Sequence, residues 1–178
     1  IDWKATSRLK KFISREYQDE RDQQVVFLID CGRRMHAKDG ELSHFDHALN
    51  AVLLLSYVAL RQGDTVGLMA FGGRPCYLPP RKGAGVINSL LDTVYDLQAG
   101  TSSPDFLKAA TELMSRLNKR SLVVLVTNLR DEDNDELLPA LHLMRQRHLV
   151  LLASLQERII NDVLSEPGQD FSAALRNS

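Results

Sequence analysis

Val25-Val26-Phe27-Leu28-Ile29-Asp30-Cys31-Gly32-Arg33-Arg34-Met35 decides how the rest of the chain is read. Five uninterrupted apolar residues run into an aspartate, then a small residue, a glycine and two arginines. An apolar run this short, rich in β-branched residues and stopped by Gly, reads as a strand buried on both faces. In an open parallel sheet, ligands collect outside the carboxyl ends of the strands. Asp30 therefore stands at the edge where recognition or chemistry takes place.

Working outward, residues 122–127 (LVVLVT) and 149–154 (LVLLAS) repeat the buried-strand pattern, and 65–71 (TVGLMAF) gives another, ended by Gly72-Gly73. Cys76-Tyr77-Leu78, fenced by Pro75 and Pro79-Pro80, reads as a short edge strand, since proline cannot donate to a central ladder. Its link to the preceding strand is too brief for a crossover helix, so the pair is expected to be antiparallel. Between the strands lie helical patterns at 46–62, 84–97, 104–117 and about 135–147. The first is apolar on nearly every side, which predicts the most buried helix, closed by Gly63 in the left-handed conformation. The third is expected to start with Ser103 as N-cap and Pro104 at its first position. Residues 36–43 read as a loop, 11–16 as a short strand and 159–164 as a short helix. Strands alternating with helices predict an α/β fold: a mainly parallel sheet with one antiparallel edge strand. Residues 1–24 read as an N-terminal arm and 25–178 as the domain.

The 178 residues suffice for one sizeable core, and 44% hydrophobic with 25% charged residues is ordinary for a globular chain. A net charge of −1 argues against a general nucleic-acid or membrane-surface binder. The longest nearly apolar segment, 51–60, is too short to insert into a bilayer as a span. No signal peptide is visible, and the start at Ile1 marks an excised domain or a processed product. Cys31 and Cys76 lack metal-type spacing, which favours a reducing compartment.

Enzyme signatures are few. There is no phosphate-binding G-x-x-x-x-G-K-[ST], no G-x-G-x-x-G after a strand and no G-x-S-x-G elbow. Cys31 could serve as a thiol nucleophile with His36, His44 or His47 as base, but a small buried cysteine is the commoner outcome. His44 and His47 have the spacing of a metal pair without a further convergent ligand; a polar loop running into a helix N-terminus explains them. The acidic run 131–136 suits a solvated loop ahead of a helix.

An apolar strand ending in Asp, a methionine soon after, a helix, then Gly63-Asp64-Thr65-Val66-Gly67-Leu68 resemble the von Willebrand factor A fold. The opening Ile1-Asp2-Trp3-Lys4-Ala5-Thr6-Ser7-Arg8 and the stretch 61–68 resemble, within it, the bacterial domain-of-unknown-function family fifty-eight. The resemblance implies a three-layer αβα sandwich. It also implies a non-enzymatic protein-interaction module beside a MoxR-type AAA+ ATPase, acting in assembly or maturation of other proteins. The expected location is the cytoplasmic part of a membrane-anchored parent.

A-type domains often hold a divalent cation in a metal-ion-dependent adhesion site, D-x-S-x-S plus a later Thr and Asp. Carried over, Asp30 takes the aspartate position and Thr101 the threonine. The two serines fall on Gly32 and Arg34, and the later aspartate on Asn128. A hard cation wants several oxygen ligands, so the resemblance implies a degenerate site with no metal or other cofactor. Asp30, Gly32, Arg34, Thr101 and Asn128 then serve as partner-binding strand-end loops, with Arg34 within hydrogen-bonding or short electrostatic reach of Asp30. Two alternatives stand beside it: a Mg²⁺-dependent adhesion domain with Asp131 or Asp133 as the missing carboxylate, and a hydrolase built on Asp30, Cys31 and the nearby histidines.

Overall fold

In the computed structural model, residues 22–130 and 133–155 are described. The expected strand at 11–16, the expected helix at 159–164 and Asp131 lie outside them. In chain order the elements are β1 (Gln24–Asp30), a 3-10 turn (Arg33–His36), β2 (Lys38–Asp39), β3 (Leu42–Ser43), α1 (His44–Gln62), β4 (Thr65–Phe71), β5 (Cys76–Arg81), α2 (Gly85–Tyr95), α3 (Phe106–Arg116), β6 (Leu122–Thr127), α4 (Asn134–Arg145) and β7 (Leu149–Ser154).

The main sheet runs β5-β4-β1-β6-β7, so β1 is its central strand. β1 pairs parallel with both β4 and β6, β7 is parallel to β6, and β5 alone is antiparallel. Pleating sends Val25, Phe27 and Ile29 to one face, where they join Val66, Leu68, Val124 and residues of α1 and α2. Val26 and Leu28 point the other way and join Val123, Leu125 and residues of α3 and α4. Two cores, one on each face, explain why β1 is apolar without alternation.

β5 runs three residues past the expected Leu78, through Pro79 and Pro80 to Arg81. The ladder shifts register between Val66 and Leu68, and a Cβ on Gly67 would lie 2.9 Å from the Pro80 nitrogen. A glycine lets the two backbones pass where proline contributes no donor.

Three expectations are corrected. Residues 36–43 are not a plain loop: they hold the end of the 3-10 turn and the β2–β3 hairpin. α1 starts at His44, two residues early, because Ser43 and Asp46 form a capping box. The Ser43 hydroxyl accepts from the Asp46 N–H at 3.1 Å, and the Ser43 N–H donates back to the Asp46 carboxylate at 3.0 Å. α3 is capped by Asp105, which accepts from the Lys108 N–H at 2.8 Å, and not by Ser103. Pro104 lies buried ahead of the helix, against Gly32.

The largest correction concerns α1. Its inner face, His44, Phe45, Ala48, Val52 and Ser56, is buried. Leu54, Leu55, Tyr57 and Val58 are 43–64% exposed, so α1 is not the most buried helix. It forms part of an outer layer, and the sheet can cover only one side of such a helix. Leu54→Ala should therefore change stability by no more than about 0.5 kcal/mol. A denaturant melt showing a loss above about 2 kcal/mol would mean that this face is covered in solution. Among the described residues no helix is long and apolar enough to cross a membrane.

Candidate functional site

β1 ends on Asp30 and β6 on Thr127, and the parallel register that opposes Ile29 to Val126 brings the two ends side by side. Asp30 is fully buried. The Thr127 hydroxyl donates to one of its carboxylate oxygens at 2.6 Å, and the Gly32 N–H donates to the other at 2.7 Å. Burial nevertheless raises its carboxyl above the ordinary 3.8, opposed by these two bonds and by the Arg34 charge.

The loops after β1 and β4 and the loop joining α2 to α3 close over this carboxylate, and glycines allow it. The Cys31 N–H donates to Phe71 at 2.7 Å, the Gly100 N–H to Cys31 at 2.6 Å and the Arg33 N–H to Ser102 at 2.9 Å. Gly72 has φ +78, and a Cβ there would lie 2.9 Å from the Gly32 nitrogen and 3.1 Å from the Asp30 carboxylate. A Cβ on Gly32 would meet the same carboxylate and Pro104, each at 3.0 Å.

At the rim, Arg34 forms an ion pair with Asp133, and both side chains are about a tenth exposed. The Arg130 N–H also donates to Asp133, at 2.9 Å. Arg34 thus reaches Asp30 through space while its ion pair goes to Asp133. Asn128, buried, places its amide nitrogen 3.0 Å from His44 Nδ1 and donates to the Arg34 carbonyl at 3.4 Å. His44 Nε2 is buried without a hydrogen-bond partner. Thr101 is exposed on the loop that covers Gly32, and His36 is exposed too. Burial, then the Asp30 charge, pushes the Cys31 thiol up to about 12, so it carries little thiolate at neutral pH.

Of the residues singled out in the sequence, Asp30 and Gly32 thus form one hydrogen-bonded group, and Arg34 and Asn128 belong to a second beside it. Thr127 and Gly72 join them without having been singled out. Thr127 was detectable as a polar residue closing a buried apolar run, as Asp30 does in the neighbouring strand.

The model of the family described as "Protein of unknown function DUF58" matches residues 1–164. The chain belongs to the DUF58 family. No curated protein matches it. Among solved structures, the DUF58 chain is similar to an aerotolerance-related membrane protein from Bacteroides fragilis bearing multiple mutations to serines. That match has 18% identity and a TM-score of 0.51, covering 74% of this chain and 67% of the other. It is also similar to the manganese-loaded TRAP protein of Plasmodium vivax, at 14% identity and a TM-score of 0.50 over 85% of this chain and 66% of the other. The SpRpn10 VWA domain matches at 14% identity and a TM-score of 0.46, over 83% and 97%. At such identities the first two matches show fold alone: this DUF58 chain is a three-layer αβα sandwich, von Willebrand A-like, around a mainly parallel sheet.

The raised Asp30 carboxyl sets a pH dependence. Burial penalises the charged form in the folded state, so the contribution of Asp30 to stability is full below the ordinary value of 3.8 and is lost as pH rises through the folded value. Asp30→Asn should remove that loss. The melting temperature of the variant minus that of the parent should climb as pH rises from 3.8 through the folded value. A difference that stays flat over this range would contradict the assignment.

Proposed function

We propose that this chain is a non-enzymatic protein-interaction module with a degenerate adhesion site. Its partner surface is the strand-end loops, and its partner is a MoxR-type AAA+ ATPase acting in assembly or maturation of other proteins. The observation that carries the reading is the Asp30 carboxylate, held by Thr127 and Gly32 beneath glycine-lined loops. An adhesion-type cation needs that carboxylate facing outward with several oxygen ligands beside it. Here both its oxygens are engaged inside the protein, Gly32 has no side chain, Arg34 carries a positive charge and the Asn128 amide is turned to His44. Among the described residues no group of three His, Cys, Asp or Glu side chains is placed to hold a metal. Asp133 is already committed to Arg34. The residues do not fit the cation.

The buried carboxylate then acts as an internal fastener for the loops, and the surface left to a partner is the exposed rim that includes Arg33 and Thr101. Cys31 and Cys76 are both free thiols, which fits a cytoplasmic setting beside such an ATPase.

Two measurements test this. Titration calorimetry with millimolar Mg²⁺ should register no specific heat, and EDTA should leave the melting temperature unchanged. Micromolar metal binding that Asp30→Ala abolishes would overturn the degenerate site. In a pull-down with the cognate ATPase, Arg33→Glu and Thr101→Arg should lose the complex while Leu54→Ala keeps it. Retention by both loop variants would move the surface elsewhere.

A further inference from the structure

The glycines that let the loops close over Asp30 also bring two arginines to one rim. A Cβ on Gly73 would lie 3.0 Å from the Cys31 Cβ, and one on Gly100 would lie 3.1 Å from the Gly73 Cα. The Arg33 N–H donates to the Ser102 carbonyl at 2.9 Å. Arg33 therefore leaves the loop after β1 and Arg74 the loop after β4, with the α2–α3 loop packed against both. Both arginines are exposed, and among the described residues neither has an ion-pair partner. Three acids of the same edge are spent elsewhere. Asp30 is buried beneath the loops, Asp133 is paired with Arg34, and Asp105 caps α3.

The backbone between the arginines holds unused donors. Among the described residues, none accepts a hydrogen bond from the N–H of Gly73, Arg74, Thr101 or Ser102. Consecutive N–H groups at a bend make a concavity that favours anions. Gly72, at φ +78, supplies that bend. Thr101 and Ser102 are exposed, and their hydroxyls engage no other group among the described residues.

Charge and shape select the occupant. A guanidinium fork matches a planar carboxylate with two parallel N–H bonds. The loops are open to solvent, whereas a small-molecule site is a cleft that encloses most of its ligand. An acid presented by a larger body fits them better than a small free anion.

We propose that Arg33 and Arg74, with the N–H groups of Gly73, Arg74, Thr101 and Ser102, form a cradle for a carboxylate. Its occupant is a glutamate or aspartate side chain in an acidic segment of the partner protein. The cradle rests on the reading of these loops as the partner surface and adds the chemistry by which they hold a partner. The guanidinium groups bind the acid directly, and the backbone donors fix its orientation. Being exposed, the attraction fades as salt rises.

The probes are a peptide with four consecutive glutamates, its glutamine counterpart and inorganic phosphate, each titrated into the full chain labelled with ¹⁵N. Millimolar glutamate peptide should shift the amide resonances of Arg33, Gly73, Arg74, Thr101 and Ser102, and the glutamine peptide should leave them in place. Arg33→Gln and Arg74→Gln, folded by circular dichroism, should each weaken binding about tenfold, the loss of one charge-assisted pair. Arg120→Gln, at an exposed arginine beside the opposite ends of the strands, should change nothing. Absence of these shifts, equal shifts with glutamine, or full binding by both arginine variants overturns the cradle. Displacement of the peptide by micromolar phosphate overturns it too, and makes the rim a phosphate site. Capture of the ATPase through Arg33 without binding of the glutamate peptide would sink the cradle and leave the interaction module standing. Peptide binding without capture of the ATPase would keep the cradle and remove that partner.

Discussion

Replacing Arg34 with alanine is expected to cost about 3–5 kcal/mol, the range for removing one partner of a buried ion pair. The Arg34 and Asp133 side chains are 11% and 10% exposed, so solvent does little to screen what is left behind. Without the guanidinium, Asp133 keeps the Arg130 N–H but has no counter-charge in its ion pair. Asp30 also loses the positive charge that offsets part of its burial. Truncating both residues removes the stranded carboxylate along with its partner. The double variant Arg34→Ala/Asp133→Ala should therefore be less damaged than the sum of the two single variants. Urea melts of the four proteins measure this coupling directly. A loss below about 1 kcal/mol for Arg34→Ala, or simple additivity, would show that the pair does not hold the rim together.

Gly72→Ala should be comparably severe. Its positive φ costs any side chain about 1–2 kcal/mol, and a Cβ set 2.9 Å from the Gly32 backbone nitrogen adds the roughly 1–3 kcal/mol typical of overpacking. Gly40 supplies the control, with nearly the same φ of +72 and nothing within 4 Å of a Cβ. Gly40→Ala should lose only the conformational part. Equal losses at the two positions, by denaturant melts, would mean that the loops over Asp30 give way easily. The same crowding bears on any attempt to rebuild a serine ligand at Gly32, since its Cβ would press on Pro104 and on Asp30 itself.

How far the sequence carried depends on the distance over which each feature is determined. β1, β4, β6 and β7 are visible because burial on both faces demands an unbroken apolar run, and the antiparallel edge follows from a link too short to cross over. α1 shows where this logic fails. Apolar residues all round predict burial, yet Leu54 and Leu55 face outward because the sheet lies on one side only. The sequence records what a helix could bury, and the layer it occupies decides what it does bury. The early start of α1 was written locally in Ser43 and Asp46, and the cap of α3 in Asp105, but each competed with a plausible neighbour.

The candidate site divides in the same way. Asp30 and Asn128 stand out because they sit at strand ends, and Arg34 and Asn128 because they depart from a known ligand pattern that Asp30 keeps. That Arg34 pairs with Asp133, 99 positions along the chain, could not be read from either residue. Nor could the role of Gly72, which only appears once its loop is laid across Gly32. The histidine spacing that hinted at a metal pair dissolves in the structure: His44 turns inward to Asn128, a hydrogen bond that no local pattern announces.

The central position of β1 has a consequence for how the chain is made. Its partner on one side, β4, lies 41 residues downstream, but the hydroxyl that meets Asp30 comes from Thr127, 97 residues after it. A ribosome adding about 5–20 residues per second needs roughly 5–20 s to bridge that gap. Until β4 is made both edges of this strand are open, from then until β6 is made one remains open, and throughout its acid has no hydroxyl to meet. The order of synthesis thus leaves the nascent chain most exposed to aggregation at the segment that later becomes its best-protected interior.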